Sequence, residues 1–482
     1  MTKSLMVIGT SSHVGKSILV AALCRSFSKK YRVAPFKAQN MSLNSWITRN
    51  GEEIGIAQAI QAKAAGVEPT ADMNPVLLKP KGSHISQVII LGKPFADKRA
   101  GDYYDSIDGM MAVVTGAYNR LASAHDMIII EGAGGAAEIN LYDRDIVNIG
   151  IARTVKPHII LVGDIERGGV FASIYGTLQL LPEDIRSLVF GIIINKFRGD
   201  IRLLEPGILQ LEELTGLPVL GVIPYTDIKL PSEDSVSIKD KTGNNHPVKI
   251  AIIRLPHISN FTDFEPLEKY ADIRYIEPGD SLGEPDAVIL PGTKNTMEDL
   301  KELRSKGLDK QIIAESKKGT PVIGICGGYQ MLGNEIIDSG FEGTGGACSI
   351  KGLGLLDVTT RFLDYKKQTR QVEKPVTGDG AILGQLKGGK VRGYEIHMGE
   401  TDGGEPAFGD DGSMSKNGLV IGTYLHGLFE NENIRTSFLG YLYKQKGIIF
   451  KNKDDGDSIE ELAKFIEEHV NMELIYRRIE GA

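Results

Sequence analysis

Short apolar runs alternate with longer amphipathic stretches along this chain of 482 residues, and this alternation limits its fold more than any other feature. In the first half, the apolar runs are typical of buried strands and lie at residues 5–8, 33–36, 127–130, 158–162 and 189–194. Helical patterns lie between them, for example at residues 17–27 and 54–65. Strands and helices that alternate in this way predict a parallel sheet covered by helices on both faces.

A second series of the same kind begins after residue 248. Its predicted strands are residues 249–254, 287–290 and 321–325, and its predicted helices are residues 296–306 and 328–337. Between the two series, residues 231–247 (PSEDSVSIKDKTGNNHP) are polar, rich in turn-forming residues and without apolar periodicity. This composition indicates a linker between two domains.

The chain is therefore expected to form two doubly wound α/β domains. Residues 1–231 and 249–445 would be the domains, and residues 232–248 would be the linker between them. Residues 446–482 would form a helical extension, in which residues 458–479 show the pattern of one amphipathic helix. We expect this helix to pack on the second domain.

Charge and cysteine content exclude several classes of protein. The 55 Lys and Arg residues are outnumbered by 62 Asp and Glu residues, and a net charge of −7 gives no basic footprint for nucleic acid. No apolar stretch reaches the roughly eighteen residues of a membrane span. Cys24, Cys326 and Cys348 are too few for a disulfide framework and lack C-x-x-C spacing. We expect a cytoplasmic protein that binds neither nucleic acid nor membrane.

A glycine-rich loop near the N-terminus has the features of a phosphate-binding loop. In LMVIGTSSHVGKSILVAAL, an apolar strand leads through a turn into a helix that begins at Gly15-Lys16-Ser17. Loop amides between Thr10 and Val14 and at Gly15 would surround the phosphates of ATP, and Lys16 would meet the outer phosphates. Ser17 would hold Mg²⁺. Five residues, instead of the usual four, separate the first glycine from the second.

Such a loop needs a carboxylate for the metal at the end of a neighbouring strand. Glu131 follows the strand at 127–130 and is itself followed by Gly-Ala-Gly-Gly, where the backbone can approach a ligand closely. Glu53 is a second candidate for the metal. Asn195, at the end of the strand at 189–194, is a candidate for the edge of the nucleotide base.

A second candidate site centres on Cys326. The residue follows the strand at 321–325 and precedes Gly327-Gly328, and a strand-to-helix turn of this kind is typical of a nucleophile. The helix N-terminus would favour the thiolate. The amides of Gly327 and Gly292 would form an oxyanion hole. His426, which follows an apolar strand, is the expected general base, and His397 is the alternative.

Four stretches of the first half resemble known families. The spacing of GTSSHVGKS is similar to the loop of the dethiobiotin synthetase group, whose ATPases phosphorylate a carboxylate. Residues 35–45 (PFKAQNMSLNS), 73–89 and 128–135 resemble the synthetase domain of the cobyric acid synthases. This resemblance places Lys37, Gln39 and Asn40 on the side of the nucleotide and the substrate. Partitioning ATPases carry an extra lysine early in the loop, where this chain has Thr10 and Ser11.

The second half resembles the class I glutamine amidotransferases. GICGGYQML (324–332) and TYLHGLFEN (423–431) carry the resemblance, which implies that Cys326 forms a glutamyl thioester and that His426 is its base. That class usually has Glu two residues after the histidine, but position 428 is Leu. Glu430 and Glu395 remain as candidates to orient His426.

Together the two resemblances imply ATP- and glutamine-dependent amide synthesis. The expected substrate is a corrinoid carboxylate, namely the b, d, e and g side chains of (adenosyl)cobyrinic acid a,c-diamide, with L-glutamine as the ammonia donor and with ATP and Mg²⁺. A cobyrinic acid a,c-diamide synthase and an enzyme that amidates cell-wall precursors are the related alternatives. A nucleotide-dependent switch protein with an inactive glutaminase-like domain is an alternative of a different class.

Overall fold

The computed structural model describes residues 2–80, 85–99, 107–226, 228, 245–342, 346–364, 366–452 and 456–481. Most of the predicted linker at 232–248 and residues 81–84 of the stretch at 73–89 lie outside the described residues. Two large sheets dominate the described part, one in each half of the chain. Both are mainly parallel, which confirms the predicted α/β class.

The first large sheet has six parallel strands with the N-terminal strand inside it. In spatial order the strands are Val219–Pro224, Val189–Phe197, His158–Asp164, Lys3–Gly9, Met127–Glu131 and Val33–Phe36. Five of the six lie where the sequence predicts them. The sequence pattern missed the edge strand Val219–Pro224, because its apolar run is interrupted by Gly221 and ends in a proline.

Helices cover both faces of this sheet, as the doubly wound prediction requires. The helices are Lys16–Ser28, Ile56–Ala64, Ile107–Ala124, Ile151–Val155, Val170–Leu180, Glu183–Arg186 and Ile201–Thr215. Successive side chains of a strand point to opposite faces. Accordingly, Met6 and Ile8 pack in one apolar cluster, while Leu5 and Val7 pack in another on the opposite face.

Two smaller structures extend the first unit. One is a four-stranded sheet of Gln39–Met41, Val76–Pro80, Ile85–Ile90 and Lys93–Arg99. The other is a hairpin of Ser45–Ile47 and Glu53–Gly55. The helix expected at residues 54–65 therefore begins only at Ile56, because the residues just before it pair in the hairpin.

The second large sheet has seven strands with the strand before Cys326 in the middle. In spatial order the strands are Asp272–Ile276, Lys249–Ile253, Ala287–Leu290, Val322–Ile325, Val420–Thr423, Asp411–Met414 and Glu405–Phe408. The first five are parallel, and the last two join them antiparallel. The helices of this half are Thr296–Ser305, Leu308–Lys318, Gly327–Leu332, Gly380–Leu383 and Glu432–Gln445.

Two further sheets lie beside the second large sheet. One consists of Cys348–Lys351, Glu335–Asp338, Val358–Phe362 and Glu400–Gly403, and the other of Gln368–Pro375, Lys390–His397 and Leu425–His426. The helix expected at residues 328–337 is wrong in its second half. The helix ends at Leu332 because Gly333 is extended, and Glu335–Asp338 is a strand.

The C-terminal extension packs on the first large sheet and its helices, and the expectation that it packs on the second domain is wrong. It forms two helices, Ser458–His469 and Met472–Glu480, since Val470 between them is extended. Its apolar side chains join the cluster of Leu5 and Val7, and Val470 forms a bridge to Gly221. The amphipathic pattern shows that one face is buried but not which surface buries it.

Among the helices of the described residues, none has both the length and the apolar character needed to cross a membrane.

Candidate functional site

The phosphate loop joins strand Lys3–Gly9 to helix Lys16–Ser28. Gly15 has φ 99°, and a Cβ there would collide with the side chain of Asn195, so only glycine fits. Lys16 is buried and its Nζ donates to the carbonyls of Ser11 at 3.0 Å and Gly134 at 2.7 Å. The loop therefore holds the ammonium of Lys16 between two carbonyls at the carboxyl end of the sheet.

Glu131 lies on the strand next to the loop and collects three donors. Its Oε1 accepts from Ser17 Oγ at 2.8 Å and from Lys37 Nζ at 2.9 Å, and its Oε2 accepts from Gln61 Nε2 at 2.5 Å. The carboxylate is only 1% exposed. The structure thus brings together Ser17, Lys37 and Glu131, which the sequence singled out separately, and adds Gln61, which it did not.

The donors at this place fit a magnesium ion. Mg²⁺ prefers oxygen ligands and is commonly held by one or two carboxylates together with substrate phosphates. Ser17 Oγ and Glu131 supply a hydroxyl and a carboxylate beside the phosphate loop. Within the described part of the chain, no group of three or more His, Cys, Asp or Glu side chains could hold a metal. A site built from one carboxylate, one hydroxyl and phosphate oxygens agrees with that finding.

Glu53 lies in a different environment, which does not support its role at the metal. It is completely buried, and its Oε1 accepts from Lys79 Nζ at 2.5 Å and Ser45 Oγ at 2.8 Å, while its Oε2 pairs with Lys367. Burial alone would raise the pKa of Glu53, but the two lysines outweigh it and lower the pKa far below its usual range. Glu53 is better explained as the anion of a buried ion-pair cluster.

The remaining predicted residues of the first site lie around the loop. The amide of Thr10 donates to Val162 O at 3.0 Å, and Asn195 Nδ2 donates to Val14 O at 2.8 Å, so Asn195 holds the loop itself. Asn40 is buried and donates to Gln58 Oε1 at 2.9 Å. Gln39 begins the strand Gln39–Met41. The roles of these residues toward a nucleotide or substrate stay predictions.

Cys326 lies on a strained turn between strand Val322–Ile325 and helix Gly327–Leu332. Its φ of 54° and ψ of −113° are rare for a residue other than glycine. A Cβ on Gly328 would overlap the carbonyl of Leu290, and one on Gly327 would lie 2.6 Å from Thr293 Cγ2. The two glycines are therefore required by the close approach of the loop around Thr293.

His426 contacts Cys326 and is held from behind by Asp263. Its Nδ1 lies 2.7 Å from Asp263 Oδ2, and the next amide, Gly427 N, donates to Asp263 Oδ1 at 2.9 Å. With Nδ1 turned toward Asp263, the other ring nitrogen of His426 is left for Cys326, whose thiol donates to Ile396 O at 3.5 Å. Burial lowers the pKa of His426, but Asp263 and Cys326 outweigh it and raise the pKa to about 10.

The alternative base, His397, is held as a neutral ring. It stacks on Tyr424 with 3.6 Å between ring centroids, and its Nδ1 donates to Gly399 O at 3.2 Å. Burial lowers the pKa of His397 to about 4. The geometry therefore favours His426 as the base.

The two predicted oxyanion donors both border the site. A Cβ on Gly292 would lie 3.1 Å from His426 Cε1, so this glycine is next to the imidazole. The carbonyl of Gly292 accepts from Ser259 N at 2.9 Å. Gly327 is the first residue after Cys326 and packs against the loop that follows Gly292. That their amides bind an oxyanion stays a prediction.

Known families and proteins match almost the whole chain. Residues 5–238 match the CobQ/CobB/MinD/ParA nucleotide binding domain, and residues 249–434 match the CobB/CobQ-like glutamine amidotransferase domain. "Probable cobyric acid synthase" of Methanosarcina mazei is 60% identical over 479 residues, which cover 98% of either chain. A second "Probable cobyric acid synthase", from Methanococcoides burtonii, is 61% identical over 483 residues, which cover 99% of this chain and 97% of that one. The chain belongs to the cobyric acid synthase family.

Membership of the cobyric acid synthase family confirms the predicted enzyme class. The chain is a glutamine-dependent amide ligase with a nucleotide-binding domain and an amidotransferase domain. The alternative of a nucleotide switch with an inactive glutaminase-like domain is thereby set aside. A solved structure described as "Crystal structure of glutamine amidotransferase" covers 40% of this chain and 98% of its own, at 16% identity and a TM-score of 0.29.

In this member of the cobyric acid synthase family, Asp263 takes the place expected for a glutamate after His426. Glu395, a candidate to orient His426, instead forms ion pairs with Arg370 at 2.6 Å and Lys374 at 3.1 Å. Glu430 is exposed, and Asp263 already accepts the hydrogen bond from Nδ1 of His426. Asp263 lies 163 residues before His426, which no motif spacing would reveal. Its one local signal is an acid between two buried phenylalanines, Phe261 and Phe264.

Proposed function

We propose that this chain amidates the b, d, e and g carboxylates of (adenosyl)cobyrinic acid a,c-diamide, with one ATP and one glutamine for each amide. The observation that carries the proposal is one chain with both a phosphate loop beside Glu131 and a Cys326–His426–Asp263 arrangement. The relatives named as probable cobyric acid synthases support the choice of substrate. The three free cysteines support a reducing, cytoplasmic setting.

The first site would activate the carboxylate. Transfer of the γ-phosphoryl group of ATP to a carboxylate oxygen gives an acyl phosphate and ADP, and ammonia then displaces phosphate from the acyl carbon. Lys16 and the loop amides would stabilise the charge on the transferred group. Ser17 and Glu131 would hold Mg²⁺, which neutralises phosphate charge when bound. Lys37, beside Glu131, places a second ammonium at the same end of the sheet.

The second site would release the ammonia. The thiolate of Cys326 attacks the side-chain amide carbon of glutamine, and His426 gives its proton to the leaving nitrogen. Water then hydrolyses the thioester with His426 as the base, which yields glutamate. The amides of Gly327 and Gly292 would hold the oxyanion in both steps. Asp263 keeps His426 in the orientation that both proton transfers need.

Mass spectrometry of a reaction with the corrinoid diamide tests this function. With Mg-ATP and glutamine, we expect four successive products, each formed by exchange of one hydroxyl for one amino group. Cys326→Ala should abolish the reaction with glutamine and keep the reaction with ammonia. Cys348→Ala is the matched control, because this cysteine is exposed and begins the strand Cys348–Lys351, outside the turn at Cys326, and it should keep both reactions. A diamide that stays unchanged, or glutamine use by Cys326→Ala, would overturn the proposal.

A further inference from the structure

The hairpin of Ser45–Ile47 and Glu53–Gly55 belongs to the nucleotide-binding half in sequence but contacts the amidotransferase half. The amide of Ser45 donates to Asn260 Oδ1 at 3.1 Å. Just before it, Asn44 Oδ1 accepts from the amide of Phe261 at 3.1 Å. Asn44, Ser45 and Asn260 are all buried. Water therefore does not compete for these hydrogen bonds, which join the two halves of the chain.

The turn held in this way carries Asp263. Asn260 precedes the short helix Phe261–Leu267, and the amide of Asp263 donates to Asn260 O at 3.0 Å. Asn260 has φ 50°, a left-handed conformation that surrounding contacts must maintain. Asp263 follows Phe261 by two residues, so a shift of this turn moves the carboxylate that holds His426.

The same segment also holds the other support of His426. The hydroxyl of Tyr394 donates to Ser45 O at 2.9 Å. The ring of Tyr394 stacks on the imidazole of His426, with 5.3 Å between centroids and 16° between planes. Asn44 and Ser45 thus fix both partners of the imidazole, the carboxylate at Nδ1 and the ring against its face.

We propose that Asn44 and Ser45 are positioning residues for glutamine hydrolysis, so that the nucleotide-binding half completes the glutaminase site. This inference rests on the proposed function, in which Cys326 and His426 hydrolyse glutamine. The segment starts at Gln39 and Asn40, on the predicted substrate side, and the carbonyl of Asn44 accepts from Ile56 N at 3.2 Å. The residues of the predicted substrate side are therefore connected to His426 by a short stretch of chain and a few hydrogen bonds.

The test compares two nitrogen sources on one variant. In Asn44→Ala, the amide of Phe261 loses its acceptor, and we expect glutamine-dependent amidation to fall about ten- to hundred-fold, the effect of a misplacement near 1 Å. Ammonia-dependent amidation should stay within about two-fold, since it does not use His426. The high-pH limit of glutamine hydrolysis should also move to lower pH, because a displaced Asp263 stabilises the imidazolium less.

Tyr394→Phe is the second variant and is nearly isosteric. It removes the hydroxyl that donates to Ser45 O but keeps the ring that stacks on His426. We expect a smaller loss, again confined to the reaction with glutamine. If Asn44→Ala does not fold, this variant still tests the inference.

Thr369→Val is the matched control for the interface between the two halves. Thr369 Oγ1 donates to Gly51 O at 2.8 Å across the same boundary, without a bond to Asn260, Phe261 or Asp263. The control should keep both reactions. The inference is wrong if Thr369→Val loses as much glutamine-dependent activity as Asn44→Ala does. It is also wrong if Asn44→Ala keeps its glutamine-dependent activity, or if it loses the reaction with ammonia to the same extent as the reaction with glutamine. Failure of the proposed function is distinguishable, because the wild type would then leave the diamide unchanged with both nitrogen sources, or Cys326→Ala would still use glutamine.

Discussion

At the scale of single residues, Asp263 sets both the direction and the charge of His426. Asp263→Asn keeps the size of the side chain but removes the carboxylate that raises the pKa of His426. The pKa of His426 should therefore fall, so its imidazolium is lost at lower pH, and glutamine hydrolysis should drop about 10²- to 10⁴-fold. Glutamate release measured against pH checks this. Glu430→Gln is the control and should leave the profile unchanged; an unchanged profile in Asp263→Asn would contradict the assignment.

Glu131 is the corresponding residue of the first site. Glu131→Gln would leave Ser17 and Lys37 without the carboxylate that they share. We expect amidation to fall with either nitrogen source, by about 10²-fold or more as a charge-stabilising group is lost. Glutamine hydrolysis itself should continue. Cys326→Ala should show the opposite pattern, so the pair separates the two sites. Normal ammonia-dependent amidation by Glu131→Gln would exclude this carboxylate from the reaction.

The sequence predicted those site residues that lie at the end of a strand or in the loop and helix start that follow it. Cys326 directly follows its strand, Glu131 ends one, and Lys16 and Ser17 begin the helix after the phosphate loop. Parallel strands bring such ends to one edge of the sheet. Asp263 could not be found in this way, because it reaches His426 from a short helix elsewhere in the chain. Gln61 was missed for a related reason, since a polar residue on an alanine-rich helix gives no sign of what it faces.

At the scale of secondary-structure elements, the C-terminal helices are part of the core of the nucleotide-binding half. Leu462 is fully buried in the cluster that includes Leu5 and Val7. Leu462→Ala should lower the free energy of unfolding by about 2–5 kcal/mol, as large-to-small substitutions in cores do. Denaturant unfolding measures this change. Leu209, which is 67% exposed, is the control, and Leu209→Ala should change stability by less than about 0.5 kcal/mol. If Leu462→Ala lowers the free energy of unfolding no more than Leu209→Ala does, the C-terminal helices contribute little to the stability of the nucleotide-binding half.

The positions of strands could be predicted from the sequence better than the surfaces against which helices pack. Five runs of the first sheet and three of the second lie where the apolar pattern places them, because buried parallel strands are apolar on both faces. The helix expected at 328–337 fails after Leu332, since short apolar segments suit a helix and a strand equally. The partner of the C-terminal helices depends on the tertiary fold alone.

At the scale of the whole molecule, a buried ion-pair cluster joins the two halves. Glu53 and Lys79 come from the nucleotide-binding half and Lys367 from the amidotransferase half. Removing one partner of a buried pair leaves uncompensated charge, which costs about 3–5 kcal/mol. Glu53→Gln should therefore destabilise the protein by that amount at neutral pH. Asp126→Asn is the control, because the Arg32–Asp126 pair is exposed and contributes at most about 1 kcal/mol.

The pH dependence of this effect has a definite sign. The two lysines hold the pKa of Glu53 below its ordinary value of 4.5. The ion pairs therefore stabilise the folded protein fully above pH 4.5, and this contribution decreases as pH falls further, because the unfolded chain then takes up the proton first. The difference in unfolding free energy between wild type and Glu53→Gln should thus be constant from neutral pH to about pH 5 and shrink below it. A difference that grows on acidification would mean that Glu53 is not ionised between the lysines.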